Sequence, residues 1–466
     1  MFIGREKELN ELERRYKTSD FQFAVIYGRR RIGKSFLIKN FIKKHPSIYF
    51  VATEQNEKEL LKSFSITIKE QLNQKNEFAG NFENWEDALN FVAKVASKKR
   101  IILVIDEYPY LAKSFPAISS ILQKTIDEKL LKSKLFLILC GSSMSFIEKQ
   151  VLGYESPLYG RRTSQIKLKQ MPYFEAMKFF PKWNKEEKLL VYGVCGGVPQ
   201  YLSIFSKYSN IKDGIINEFL NPEAHLYEEP DILLKQELRE PALYNTILNA
   251  LAKGKNKLNE LANVTNKTSN MLISYLKNLA SLEIIEKKLP VEDNNVKKSI
   301  YRITDNLYKF WYAFIQDSVS ILQVRTPEEV YESKIEPYMP DYFGHIFEEI
   351  CIQYLIHEMK KGNIKEFYEQ FGQWWGTNPQ KRKSEEIDIV FTNKNEILVG
   401  ECKWQNTPIG KEVLFTLEER SDLIECNRNI CFYLFSKSGF KKDLIELAKI
   451  RTDIKLVSTD DLLKVF

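Results

Sequence analysis

The stretch FQFAVIYGRRRIGKS, Phe21 to Ser35, decides the fold. Its first part, Phe21–Tyr27, is an unbroken apolar run of the kind that fills a strand buried on both faces. It passes into Gly28-Arg29-Arg30-Arg31-Ile32-Gly33-Lys34-Ser35, which fits G-x-x-x-x-G-K-[ST], and Phe36–Lys43 continues as an amphipathic helix. Strand, glycine loop and helix in that order are what a phosphate-binding loop requires. Gly28 and Gly33 let the loop curl so that backbone N–H groups point inward, and the helix N-terminus adds partial positive charge. Lys34 is placed to reach β- and γ-phosphates, and the Ser35 hydroxyl to hold Mg²⁺. Gly28, Arg29, Arg30, Arg31, Ile32, Gly33, Lys34, Ser35 and Phe36 are the expected nucleotide-binding set. The three arginines stay open between phosphates, a neighbouring subunit and solvent.

The chain has 466 residues, enough for about three domains at roughly 150 residues each. At 44% hydrophobic and 28% charged it has the composition of a water-soluble globular protein. No run of 18 apolar residues is present, so no membrane span is expected. The opening MFIGREKELNEL lacks the pattern of a secretory signal. Six cysteines, at 140, 195, 351, 402, 426 and 431, form no C-x-x-C pair, which fits reduced thiols in a cytoplasm. A net charge of +7 permits nucleic-acid binding without arguing strongly for it.

Three stretches around the loop extend the reading. Ahead of it, Phe2-Ile3-Gly4-Arg5-Glu6-Lys7-Glu8-Leu9 starts a helix at Glu6. Ser47–Thr53 reads as a strand, 56–75 as helix and 76–90 as a polar loop. Ile101–Ile105 then ends in Asp106-Glu107, the pattern of a Walker B strand, where Asp106 holds Mg²⁺ through water and Glu107 polarises the attacking water. Leu135–Cys140 is a further buried strand ending in Gly141-Ser142-Ser143, and Ser142 is the candidate γ-phosphate sensor. Arg161, beside Arg162 in Ser156–Arg162, could neutralise transition-state charge in cis or from a neighbouring molecule. Gly193–Leu202 sets a glycine pair and Pro199 before a helix.

Residues 1 to about 230 resemble the archaeal and bacterial P-loop ATPases of the AAA-related, STAND-like group. GREKEL, GRRRIGKS, IILVIDE, LILCGSS, PLYGRR and GGVPQYL stand in that family's order. The resemblance implies an α/β core with an added strand between the Walker A and Walker B strands, then a helical lid. It also implies ATP rather than GTP, with Gly4 and Arg5 lying against adenine and Pro199 carried to the nucleotide by the lid.

Residues 221–240 hold six acidic and two basic residues and read as a linker entering a helix; 241–304 reverse this, with ten basic against five acidic. Helices at Tyr244–Ala252, Lys257–Ala262 and Thr268–Leu279 precede two short strands around the basic loop Glu292–Lys298. Three helices and a two-stranded wing resemble a winged helix, expected over 231–320. Thr268, Ser269, Asn270, Tyr275 and Lys277 would lie on its recognition helix, with Lys297 and Lys298 on the wing. The aromatic stripe Asp305–Asp317 reads as core.

Toward the C-terminus, Gly344–Glu349 opens a helix running to about Lys360, and Glu386–Phe391 and Ile397–Trp404 pair as a hairpin around Asn393–Asn395. Alternation puts Glu401 and Lys403 on one face, and Asp388 on the neighbouring strand can share it. Charges on a half-buried sheet are costly unless paired or bound to metal. Mg²⁺ held by Asp388 and Glu401, with Glu348 adding a ligand or holding the general base and Lys403 orienting or stabilising the nucleophile, fits phosphodiester hydrolysis; an ordinary Glu401–Lys403 ion pair is the plain alternative. Helix-Glu, strand-Asp and strand-Glu-x-Lys in this order resemble the PD-(D/E)xK restriction-endonuclease-like fold, from about 335 to the C-terminus. Domains of unknown function with this signature are commonly fused to the ATPase family named above, and some bind DNA without cutting it.

The sequence therefore leads to an α/β protein in three parts: a P-loop ATPase core with helical lid (1–230), a winged-helix middle domain (231–320) and a restriction-endonuclease-like α/β domain (335–466). The expected activity is Mg²⁺-dependent ATP hydrolysis governing a DNA-directed nuclease, in a cytoplasmic protein that could form homo-oligomers. The competing reading is a signalling or regulatory ATPase whose later domains bind DNA or a partner without cleavage.

Overall fold

A computed structural model of the chain describes residues 2–72, 81–293, 295–424 and 428–464. Two compact units emerge: 1–170 with 198–200, and 171–197 with 201–466.

In the first unit, β1 (Gln22–Tyr27), β2 (Ser47–Val51), β3 (Ile101–Asp106), β4 (Leu135–Gly141) and β5 (Ser164–Lys167) form one sheet in the order β2-β3-β4-β1-β5. Every pairing is parallel, and β4 lies between the phosphate-loop strand β1 and the Asp-Glu strand β3, as the added-strand arrangement requires. Helices covering both faces explain why β1, β3 and β4 are apolar throughout: all their residues are buried. Phe64, Trp85 and Phe50 interlock on one such face, with ring centroids 5.1–6.3 Å apart. The polar loop expected over 76–90 is not seen at its far end. Asn84 caps a helix over Trp85–Lys98 by accepting from the Asp87 N–H, and that helix buries Trp85, Leu89 and Val92. Residues 76–80 of that stretch lie outside the described residues.

The second unit begins with helices. Pro241–Ala252, Leu258–Thr265 and Ser269–Ser281 are followed by an antiparallel hairpin of β6 (Ile285–Lys288) and β7 (Ile300–Ile303). The stripe after it is core, as read: Leu307, Tyr308, Phe310, Trp311, Tyr312 and Ile315 are all buried. A long helix, Met339–Lys361, then leads into a five-stranded mixed sheet. Its strands are β8 (Gln370–Asn378), β9 (Lys383–Thr392), β10 (Glu396–Lys403), β11 (Asn429–Ser436) and β12 (Ile454–Ser458), in the order β12-β11-β10-β9-β8. β8, β9 and β10 run antiparallel in turn, whereas β10, β11 and β12 are parallel. Ile387, Val399, Leu414, Leu417 and Leu434 form part of the core between this sheet and the helix Lys411–Ser421.

Among the described residues no helix is long and apolar enough to cross a membrane. Cys140, Cys195, Cys351, Cys402 and Cys431 are free thiols; Cys426 lies outside the described residues.

Candidate functional site

The phosphate loop sits at the C-terminal edge of the first sheet. Gly28 has φ +153°, and a Cβ there would stand 2.4 Å from the Leu168 carbonyl oxygen, so the loop's first turn admits no side chain. Gly33 has φ +92° and caps the helix Lys34–Ile42; Pro199 lies against it, 3.7 Å from where a Cβ would be. Pro199 thus reaches the loop. Lys34 is buried and folds back, its Nζ donating to the carbonyls of Gly28 at 3.0 Å and Arg29 at 2.8 Å. Desolvation lowers its pKa; the Glu107 and Asp106 carboxylates oppose this, while Arg30 adds to it. Arg29, Arg30 and Arg31 are half-buried rather than fully solvated. Ile32 is buried, and the exposed Phe36 stacks on Phe2 at 5.8 Å.

The ends of β3 and β4 complete this edge. Asp106 Oδ2 accepts from Ser35 Oγ at 2.8 Å and from the Tyr49 hydroxyl at 2.5 Å, and its Oδ1 accepts from the Glu107 N–H at 3.0 Å. Glu107 adopts a left-handed backbone (φ 52°), a strained geometry concentrated at functional positions. Ser142 donates to Glu107 Oε2 from both Oγ, at 3.0 Å, and N, at 3.3 Å. Arg5, likewise left-handed at φ 68° after Gly4 at φ 65°, is buried and donates to the carbonyls of Ile32 at 3.2 Å and Lys169 at 2.6 Å. It therefore braces the loop from behind. Tyr49 was not legible in the sequence: it lies in the middle of a strand, and only the β2–β3 register sets its hydroxyl on Asp106.

Arg161 requires a correction. It precedes β5, and its guanidinium clasps Asp127 through Nε at 2.8 Å and Nη2 at 2.7 Å. Thr163, two residues on, bonds the start of β1 through Phe23, and Asp127 ends the helix that leads to β4. Both mark the N-terminal edge of a parallel sheet, whereas the phosphate loop is at the C-terminal edge. Arg161 is therefore not brought to the phosphate loop of its own chain.

In the second unit, Ile389 pairs with Gly400 and Val390 with Val399, so Asp388 stands across from Glu401. Asp388 Oδ2 accepts from the Cys402 N–H at 2.8 Å. Burial raises the Asp388 pKa well above the carboxylate range, and the Glu401 and Glu348 charges push it further. Glu401, 4% exposed, accepts from Lys403 Nζ at 2.6 Å. Desolvation pulls the Lys403 pKa down, but Glu401 more than offsets it and the result is raised. Glu349, next to Glu348 on the helix, is paired with Lys309, at 3.1 Å. Asp388, Glu401 and Lys403 thus lie together on the neighbouring strands β9 and β10.

The metal-ligand set is not assembled. Both oxygens of Glu348 are taken, by Gln373 Nε2 at 2.7 Å and His345 Nδ1 at 3.0 Å. Both oxygens of Glu401 face Arg420 Nη1, at 3.2 and 3.3 Å, and Arg420 Nε also bonds Glu385 at 3.1 Å. Among the described residues no three His, Cys, Asp or Glu side chains are grouped to hold a metal. Arg420 and Gln373, which carry this difference, sit in segments whose sequence gives no signal of it.

On the candidate recognition helix, Thr268 is engaged as the N-cap, accepting from the Met271 N–H. The Tyr275 hydroxyl is bonded to Glu240 at 2.7 Å. Ser269, Asn270 and Lys277 remain exposed.

A parallel sheet with a glycine loop ending in Lys-Ser, an Asp-Glu strand two positions away and a sensor-like serine at the tip of the strand between them defines a P-loop ATPase core. Residues 2–205 match the family described as an ATPase domain predominantly from Archaea, and residues 311–419 match one described as archaeal and bacterial proteins of unknown function. The uncharacterised protein MJECL04 of Methanocaldococcus jannaschii is 33% identical over 414 residues, covering 87% of this chain and 88% of its own length. An uncharacterised ATP-binding protein of the same organism, MJ0423, is 44% identical over 43 residues, 9% of this chain and 73% of that protein. The Walker-type ATPase PABY2304 of Pyrococcus abyssi shares the fold at a TM-score of 0.50 and 21% identity, covering 69% of this chain and 96% of that one. The chain belongs to this family of ATPases found predominantly in Archaea.

Proposed function

We propose that the protein hydrolyses ATP with Mg²⁺ and that its nucleotide state governs a DNA-directed C-terminal domain with a nuclease-type site. The observation that carries the first half is Asp106 held at hydrogen-bond distance from Ser35, with Glu107 beside it and Lys34 in the loop. A hydroxyl and one carboxylate are hard oxygen donors, and Mg²⁺ is usually held by one or two carboxylates together with substrate phosphates. Ser35 and Asp106 would hold the ion, which would offset charge on the phosphates. Lys34 would exchange its carbonyl partners for the β- and γ-phosphates, and Glu107, freed from Ser142, would orient the attacking water. Gly4 and Arg5 support an adenine-side role, and Pro199 a lid contact. Arg161 and Arg162 would act only on a neighbouring molecule, which requires a homo-oligomer.

The second half rests on Asp388 standing across from Glu401 with Lys403 on the same face. A helix followed by β8 to β11 around a mixed sheet supports the PD-(D/E)xK reading over 335–466, and three helices with a hairpin support a winged helix over 231–320. Asp388 and Glu401, with Glu348, would serve as oxygen donors to Mg²⁺ only once Arg420 and Gln373 give up the carboxylates they now hold, and the ion would then supply activation of a water for attack on phosphorus. One observation favours DNA binding without cleavage: Arg420 already neutralises Glu401.

ATP turnover and nicking of a supercoiled plasmid, measured on one sample with Mg²⁺ or Mn²⁺, test both halves. Lys34→Ala should lose about a hundred-fold or more in turnover. Lys403→Ala should lose cleavage and keep turnover. Cleavage that persists in Lys403→Ala would remove the assigned site. Full turnover without nicking would select the binding-only reading.

A further inference from the structure

A groove of about 810 Å³ runs between the helix Ser269–Ser281, the β6–β7 hairpin and the β8 edge of the C-terminal sheet. Five lysines line it: Lys257, Lys277, Lys287, Lys297 and Lys298. They come from separate elements, and among the described residues no Asp or Glu lines the groove with them. Lys298 is paired with Asp293 at 2.6 Å. The other four make no ion pair among the described residues, and all five are exposed. Some exposed lysines elsewhere in this unit are paired, as Lys381 is with Glu419 and Lys441 with Glu412; what distinguishes the groove is that its lysines converge on one trough. Four like charges facing one trough without counter-charge repel one another, and a polyanion would relieve this.

The far wall is part of the C-terminal sheet, and it is fixed to the hairpin. The Trp375 indole N–H donates to the Lys298 carbonyl at 3.1 Å, and the Val291 N–H donates to the Gln373 carbonyl at 2.9 Å. Arg302 of β7 reaches Gln373 at 2.6 Å and Glu386 at 3.0 Å. The groove is thus one built feature, with its width set by side chains of β7, β8 and β9. Its only tryptophan is occupied in holding that wall. Binding of single strands relies on aromatic platforms for unpaired bases; of the two aromatic residues that line this groove, Trp375 is bonded to the wall and Tyr301 is buried, so the charge-lined trough suits the backbone of a duplex.

We infer that this groove carries one phosphate backbone of duplex DNA, and that the C-terminal sheet, through Trp375, shares that contact with the helix and the hairpin. The inference rests on the reading that the middle segment binds DNA; it adds Lys257 and Lys287 within that segment, and Trp375 beyond it, which a winged helix acting alone would not need. Binding is then dominated by phosphate contacts, with log affinity falling against log salt at a slope of about −4 for four free lysines.

The test is fluorescence anisotropy of the full chain with a labelled 30-base-pair duplex of arbitrary sequence and the matching single strand, from 50 to 200 mM NaCl, with ATP turnover as the check on folding. Wild type should lose about a hundred-fold in affinity across that range. Lys257→Ala with Lys287→Ala should flatten the slope by about 2, one unit per phosphate contact. Trp375→Phe should weaken binding and leave the slope unchanged, since every lysine remains. An unchanged slope in the Lys257/Lys287 double variant, with binding lost in Lys297→Ala/Lys298→Ala, would overturn the groove and leave the hairpin reading standing. Unchanged affinity in Trp375→Phe would overturn the sheet's share, and tighter binding of the single strand would overturn the duplex. Wild type that turns over ATP but binds no DNA would overturn both the groove and the reading beneath it.

Discussion

Replacing Arg420 by Met tests the charge cluster on the C-terminal sheet. Arg420 bonds Glu385 and Glu401, whose side chains are only 6% exposed, while its own is 25% exposed. At about 4 Å and an effective dielectric of about 20, each attraction is worth about 4 kcal/mol before desolvation is counted. Breaking a fully buried pair costs about 3–5 kcal/mol. Here the loss is smaller because each carboxylate keeps a lysine: Lys383 stays on Glu385 at 3.0 Å and Lys403 on Glu401 at 2.6 Å. The partial exposure of Arg420 screens the interaction further. Arg420→Met should therefore cost about 2 kcal/mol, a fall of about 4 °C in the unfolding transition of this unit. Adding Glu401→Gln should return part of this, with a coupling of about 1 kcal/mol in the double-mutant cycle. The same substitution uncovers Glu401 for a cation. At ten times its dissociation constant, Mn²⁺ should then stabilise Arg420→Met by about 1.4 kcal/mol, and Arg420→Met/Glu401→Gln much less. Thermal unfolding with and without Mn²⁺ reads both effects. An Arg420→Met protein as stable as wild type would refute the energetic reasoning. An equal Mn²⁺ response in wild type and variant would refute Arg420 as the group that keeps metal from Glu401.

Two further predictions concern the ATPase core. Tyr49→Phe deletes a hydrogen bond to an ionised carboxylate but keeps the ring and the Ser35 and Glu107 contacts of Asp106; it should cost about 1.5–3 kcal/mol in thermal or urea unfolding, and no change would deny Tyr49 a role in holding Asp106. Glu11 is held at about 2 by hydrogen bonds from Arg14 and Arg15 against an ordinary value of 4.5. A depressed folded pKa contributes stability above the unfolded value and loses it as pH falls from about 4.5 toward about 2. Glu11→Gln should flatten the stability profile in that window alone, and an unchanged acid limb in the variant would count against the assignment.

Much of the ATPase core could be read in advance because its signals are local. The apolar run of β1, the glycine spacing and the Asp106-Glu107 pair are neighbours in sequence, and covalent geometry carries them into place. β5 and β8 were not legible. β5 is four residues long, and β8, QFGQWWGTN, breaks apolar alternation because it is an edge strand paired only with β9. Thr268 and Tyr275 looked available on a helix face until Met271 and Glu240 were seen to engage them.

The sequence by itself determined the phosphate loop, the Asp-Glu strand end and the one-face placement of Glu401 and Lys403, since each depends on spacing along a single element. Tertiary structure decided what those groups touch. Strand register set Tyr49 on Asp106 and Asp388 opposite Glu401; helix packing set Arg420 over Glu401 and Gln373 beside Glu348; chain direction through a parallel sheet sent Arg161 to the edge away from the loop. Each of these pairings joins residues 13 to 57 positions apart. At such separations the periodicity of one element says nothing about its partner, and only burial of the two sheets' apolar faces fixes which polar groups meet.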